Sequence, residues 1–308
     1  MDTEKLKSGP LTRSEALKGN SRKVFEHNYT KIIGNIYLRN DQLENPLNIA
    51  EALLARYPAG TLRGFAALAH RGYSLLDQKW VPVISVGREA SHITVSHGKV
   101  LRQKQPEIFY TGDKKTVSDV QAIIDILEMP ETWERKRGHS FEQKIALLDH
   151  LIRQNRHLEE EIAASSQLKP YSEWISMMAE SRPESIVRVR IKQAGIVGFI
   201  PQVPVRGMSK TYYVDLGNPL LRVALEYQGA VHFHGSVERA ADSERQNEIR
   251  GSGWIIIEVT WEDLWMRDRW KMILQRIWRE VNARQLARKG RLPQLTPLKE
   301  LKATPGNR

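Results

Sequence analysis

The sequence predicts an α/β protein, of the α+β kind, built as two compact units. Three observations carry that expectation. The chain has 308 residues, about twice the length of a common single domain. Segments of helical period, such as Ile49, Leu53, Leu54 and Tyr57, alternate with short β-branched runs such as Val81–Val86 and Ile255–Thr260. Hydrophobic residues make up 41% and charged residues 27%, the balance of a globular chain rather than a disordered one.

Residues 1–45 are expected to form a basic helix and a hairpin. The helix runs from Thr12 or Ser14 to about Asn28 and carries Arg13, Lys18, Arg22 and Lys23. Lys31–Arg39, β-branched and aromatic around Gly34, reads as the hairpin. A helix followed by a β-ribbon is the minimal outline of a winged helix. A basic amphipathic helix docked on its own domain is the plain alternative.

Residues 46–165 read as a mixed helix–strand domain. Asn48 is placed to cap a first helix, and a second is expected over Thr61–His70, after Pro58-Ala-Gly60. Strands are expected at Val81–Val86, His92–Ser96 and Glu107–Tyr110. A helix follows from Ser118 with Val120, Ile123, Ile124 and Leu127 inward. Ser140-Phe-Glu-Gln143 has the form of a capping box ahead of Ile145, Leu147, Leu148, Leu151 and Ile152. The polar stretch His157–Pro170 marks the boundary to a second domain over residues 171–287.

In that second domain a helix opens at Ser181-Arg-Pro183-Glu184 and ends at Gly195. Strands follow around Val197–Ile200, Thr211–Leu216 and Arg222–Gln228, then a helix over Glu238–Arg250. The strand Trp254–Thr260 is apolar almost throughout, as a central buried strand should be. Five of the eight tryptophans, Trp254, Trp261, Trp265, Trp270 and Trp278, lie in this last stretch. They are expected to pack between the last helix and the sheet, with base stacking as the alternative. Residues 288–308 read as a flexible basic tail with Arg288, Lys289 and Arg291 at its start.

Charge and composition narrow the function. The net charge is +11, which suits polyanions, nucleic acid first. There is no cysteine, so disulfide scaffolds, thiolate metal sites and cysteine nucleophiles are excluded. The first twenty residues hold no apolar core of a secretory signal, and no uncharged apolar run approaches the roughly 18 residues of a membrane span. The expected setting is cytoplasmic, with no membrane partner.

The chemistry gathers in residues 171–287. Strand period two puts Glu226 and Gln228 on one face, and a tight hairpin brings Asp215 across from them. Glu184, at the start of the preceding helix, approaches the same point, and His232 leaves the strand through Gly229. Three carboxylates and an amide make an all-oxygen set that suits Mg²⁺, with Mn²⁺ as substitute, better than zinc or copper. Each has a plainer reading as well. Glu226 can pair with Arg245, Asp215 can receive backbone N–H groups of the turn, and Glu184 can complement a helix dipole. His232 can be an ordinary hydrogen-bonded residue, and His234 is read as one. Arg245 divides between a phosphate contact and a salt bridge to Asp242 or Glu226.

The ordered set is Pro183-Glu184, Asp215, Glu226-Tyr-Gln228-Gly229-Ala-Val-His232, Asp242-Ser-Glu-Arg245 and Gly253-Trp254. It resembles the Vsr-like endonuclease-domain proteins of the PD-(D/E)XK nuclease superfamily over about residues 181–280. The resemblance implies an αβββαβ core and a metal-dependent nuclease centre that leaves a 5′-phosphate. It puts Asp215, Glu226 and Glu184 on the metal, and Gln228 and His232 among the catalytic residues. Gln228 stands where the superfamily has Lys and this subfamily usually Asp. More loosely, Gly34-Asn-Ile-Tyr37, Ala66–His70 and Thr116–Asp125 are similar to the AbiEi-like antitoxin region that often precedes such a domain.

The reading from sequence is therefore a Mg²⁺-dependent DNA endonuclease, in defence against foreign DNA or in repair. RNA is the alternative substrate. Arg245, Arg288, Lys289 and Arg291 are the expected nucleic-acid contacts, and a homodimer is compatible with the chain. The rival is a non-catalytic DNA-binding repressor or antitoxin-like protein with a decayed nuclease domain.

Overall fold

A computed structural model describes residues 6–18, 20–75, 79–104, 107–129, 140–229 and 236–289, without the side chains of 236–240. It is a mixed α/β chain of two compact units. One comprises Met1–His139 with His157–Ser172, the other Ser140–Arg156 with Glu173–Arg308. Among the described residues no helix is long and apolar enough to cross a membrane.

The first unit opens with β1 (Leu11–Thr12), α1 (Arg13–Leu17), α2 (Arg22–Asn28), β2 (Tyr29–Ile33) and β3 (Ile36–Arg39). The single helix expected over 12–28 is two. Thr12 caps α1 in a reciprocal box with Glu15, and Ser21 opens α2 by accepting the N–H of Val24. The strands pair in the order β1-β3-β2, with both helices between β1 and β2 in sequence. Ala16, Phe25 and Tyr29 form a small core here, and Arg13, Arg22, Lys23 and Lys31 face solvent.

Helix α3 (Pro46–Arg56) follows, capped by Asn45 rather than Asn48, with Pro46 filling the first-turn position that needs no N–H. Thr61–Arg63, expected to be helical, is strand β4. It lies at the centre of a five-stranded sheet, β6-β5-β4-β8-β7, whose other strands are β5 (Val83–Val86), β6 (Lys99–Arg102), β7 (Phe109–Thr111) and β8 (Lys114–Thr116). His92–Ser96 makes only the isolated bridge of Val95 with Ile33. Helices α4 (Gly64–His70) and α5 (Asp119–Glu128) are tied to the sheet by Arg63. Its guanidinium donates to both oxygens of Asp125 at 2.6 and 2.5 Å, so two fully buried charges meet as a fork. The unit closes with α7 (His157–Ala164) and α8 (Lys169–Ser172).

The second unit begins with α6 (Phe141–Gln154), which belongs with the C-terminal elements and not with the 46–165 block. Its capping box, Ser140 with Gln143, forms as its sequence predicts. Then come α9 (Arg182–Gln193), β9 (Ile200–Arg206), β10 (Thr211–Asn218), β11 (Val223–Gln228), α10 (Ser236–Gly251) and β12 (Ile255–Thr260), followed by α11 (Trp261–Trp265) and α12 (Arg267–Arg288). The sheet order is β12-β11-β10-β9, with β11 and β12 parallel and the other pairs antiparallel. A parallel pair needs a long crossover, and α10 supplies it.

Two cores flank this sheet. Val187, Ile191, Leu225, Ile257, Leu264, Leu274 and Ile277 fill the side covered by α9, α11 and α12, while Val214, Ala224 and Ile256 meet Ile249 of α10 on the other. Helix α6 is fixed to α9 by ion pairs Asp149–Arg188 at 2.6 Å and Glu142–Arg190 at 2.9 Å. Val187 and Ile191 seat α9 on the sheet, and Glu184 at its N-terminus meets Gln202 of β9.

Candidate functional site

The β10–β11 ladder runs through Asn218↔Val223, Gly217↔Ala224 and Leu216↔Leu225. The next residues along it are Asp215 and Glu226. There a side chain takes over from the backbone: Asp215 Oδ2 accepts the N–H of Tyr227 at 2.8 Å. On the other flank Asp215 lies opposite Gln202, between the pairs Val214↔Val203 and Leu216↔Pro201. Gln202 adopts φ 52°, a conformation few residues other than glycine take up, so the sheet is irregular on both sides of this acid. Val214 packs on the α10 side of the sheet and Leu216 on the α9 side, and Asp215 sits at that change of face.

Glu226 is buried, 5% exposed, on the α10 face. Arg245 Nη2 reaches it from α10, donating to Oε1 at 3.0 Å and Oε2 at 3.1 Å, and also to the Tyr213 carbonyl at 2.7 Å. Gln228 ends β11, half-buried and in register with Thr260 of β12. Glu184 lies in the first turn of α9, where its Oε2 accepts the Glu180 N–H at 3.0 Å and lies 3.4 Å from Gln202 Nε2.

Burial pushes all three acids up. Glu226 is raised to about 7, by burial first and by the charge of Asp215 second, against the opposing pull of Arg245. Burial raises Asp215, opposed by the Tyr227 N–H and by Arg245. Burial raises Glu184, and the charge of Asp215 adds to it. The charge of Asp215 thus raises both Glu184 and Glu226, while Arg245 pulls Asp215 and Glu226 down.

Of the residues singled out from sequence, Glu184, Asp215, Glu226 and Gln228 come to one end of the sheet, with Arg245 on Glu226 rather than on a free surface. His232, His234 and Arg291 lie outside the described residues. Arg288 is exposed at the end of α12, donating to the Leu220 carbonyl at 3.0 Å, and Lys289 is exposed beside it. Among the described residues no three Asp, Glu or His side chains converge as a ready-made metal centre.

Three further groups belong to the site. Glu180 adds negative charge beside both Glu184 and Asp215. Gln202 bridges β9 to Glu184. Glu258, the parallel register partner of Glu226, accepts from Gln246 at 2.9 Å on the same face. Only Glu258 left a signal in sequence, as the one acid in an apolar strand.

Trp254, Trp270 and Trp278 pack against the cores as expected. Trp261 and Trp265 do not: they are exposed on α11. Comparison with family models, with curated proteins and with solved structures returns no match for this chain.

Proposed function

We propose that the C-terminal unit is a metal-dependent phosphodiester hydrolase acting on DNA, of the PD-(D/E)XK type that its sequence resembles. The observation that carries this is the juxtaposition of half-buried Asp215 and buried Glu226 at the end of the β10–β11 ladder, with Glu184 beside them. The element order α9-β9-β10-β11-α10-β12 agrees with an αβββαβ core. The donor set fits a hard divalent cation in its chemistry: one buried and two half-buried carboxylates, each holding its proton more tightly than in water.

Asp215, Glu226 and Glu184 would hold Mg²⁺, or Mn²⁺ in its place. Such an ion, when bound, acidifies a water and neutralises charge on the leaving oxygen. Gln228 would orient the water or the phosphate through its amide. His232 is assigned to the same centre by resemblance. The first unit supports recognition of DNA or a partner, since β1-α1-α2-β2-β3, with sheet order β1-β3-β2 and exposed Arg13, Arg22 and Lys23, has the outline of a winged helix.

One observation favours a second reading. Arg245 already holds both oxygens of Glu226, and Gln228 brings no positive charge, as a decayed, DNA-binding repressor or antitoxin-like domain would have it. Supercoiled plasmid incubated with the purified chain separates the two. Nicking or linearisation in Mg²⁺ or Mn²⁺ that EDTA abolishes is the expected result, and cutting that EDTA leaves untouched refutes the metal assignment.

A further inference from the structure

Helix α11 holds two large aromatic rings out of the core. Trp261 is 52% exposed and Trp265 40%, their centroids 5.1 Å apart and their planes tilted by 53°. The helix has only five residues, yet it is anchored from several directions. Thr260 and Asp263 cap it reciprocally, Leu264 is buried in the core, and Arg269 pairs with Asp263 at 3.1 Å. Arg190 donates to the Leu264 carbonyl and sets its guanidinium 5.8 Å from the centre of the Trp265 ring. So much anchoring around exposed apolar rings fixes their orientation in solvent.

They stand at the same end of the sheet as Glu226 and Gln228, with α11 packed through Leu264 on the α9 side while Glu226 faces α10. Thr260 is the register partner of Gln228, two residues past Glu226 on β11. Trp261 therefore begins one residue beyond the carboxyl ends of the two parallel strands, the end at which Glu226 and Gln228 stand. Charges along this stretch balance, Glu262, Asp263 and Asp268 against Arg267, Arg269 and Lys271. A patch of balanced charge offers little to phosphate and presents flat aromatic faces, with half-exposed Met266 extending the apolar surface.

We infer that Trp261 and Trp265 form a stacking platform for unpaired nucleobases of the strand brought to the acid cluster. The inference rests on the nucleic-acid reading above and narrows it. Duplex bases already stack on their neighbours, so the platform selects single-stranded, flapped or locally melted substrate. The +11 net charge draws the polyanion in, and the rings select for unpaired bases without reading sequence, because every base has a π-face.

The test is fluorescence anisotropy of a labelled 20-residue oligo-dT and of a blunt duplex of equal length, in EDTA, with the full chain. Trp261→Ala and Trp265→Ala are each expected to weaken oligo-dT binding about tenfold while changing duplex binding less than about twofold. Trp261→Phe should keep most of the affinity, since it keeps a stacking face. Both residues are exposed, so a matching thermal melt shows that the variants fold. If both alanine variants bind oligo-dT as the parent does, the platform is refuted while metal-dependent cleavage can still stand. If Trp261→Ala turns a dimer into a monomer in sedimentation, a second copy covers the rings and the inference is overturned. A parent that binds neither oligonucleotide overturns the inference and the nucleic-acid reading together.

Discussion

One nitrogen of Arg245 donates to both carboxylate oxygens of Glu226, at 3.0 and 3.1 Å. That pair spans α10 and β11, and it neutralises the most buried acid of the site. The same guanidinium nitrogen also holds the Tyr213 carbonyl, so β10 is joined to the arrangement.

Arg245→Met leaves Glu226 buried without its counter-charge. Breaking one side of a buried pair costs about 3 kcal/mol, whereas removing both partners costs far less. Urea denaturation at pH 8 should show that loss for Arg245→Met, and most of it should return in Arg245→Met with Glu226→Gln. Full additivity of the two single substitutions would mean that the pair is uncoupled.

Glu226→Gln keeps the shape of the side chain and removes its charge. Metal-dependent cleavage should fall by at least 100-fold, while DNA binding holds or tightens because a carboxylate near the phosphate path is gone. Full activity in this variant would refute the assignment. Gln228→Lys is informative where the parent is inert: cutting that appears in Mg²⁺ would identify position 228 as the lesion of a decayed domain.

The acids also set a pH dependence of stability. An unfolded glutamate loses its proton near 4.5, while folded Glu226 keeps it up to about 7. Between those values the folded chain binds more protons than the unfolded one, so stability falls as pH rises through the window, by up to about 3 kcal/mol from this group. Asp215 and Glu184 are raised and act in the same direction. Thermal melts in EDTA should show Tm falling from pH 5 to pH 7.5, with a shallower fall in Glu226→Gln. A Tm that climbs across the window would contradict the burial of Glu226.

Much of the second unit was legible in sequence because its signals are local. Val223–Gln228 and Ile255–Thr260 are strongly apolar, Pro183 follows a capping Ser181, and Gly253 breaks the chain before β12. What sequence could not show is which partner a long side chain chooses. Arg245 has Asp242 three residues away on its own helix, yet it reaches across to Glu226. The exposed tryptophans were missed because Met266 takes an extended conformation, ψ 114°, between α11 and α12. That break puts Trp261 and Trp265 out of phase with the apolar stripe of α12, Leu274, Ile277 and Val281. In the first unit, β4, β6 and β8 have three or four residues each, two of them lysine-bearing, too short for a period to declare itself.

Asp215 is at once a rung of the sheet and an acid of the site, and the double duty limits what it can offer. With one lone pair of Oδ2 committed to the Tyr227 N–H, Asp215 has less of its carboxylate to offer an ion, a water or a proton than an acid outside the ladder would. The usual inactivating change, Asp215→Ala, would strip the rung along with the charge and leave a backbone donor unmet, confounding lost chemistry with a loosened strand. Asp215→Asn, whose amide oxygen can still take the Tyr227 N–H, separates the two.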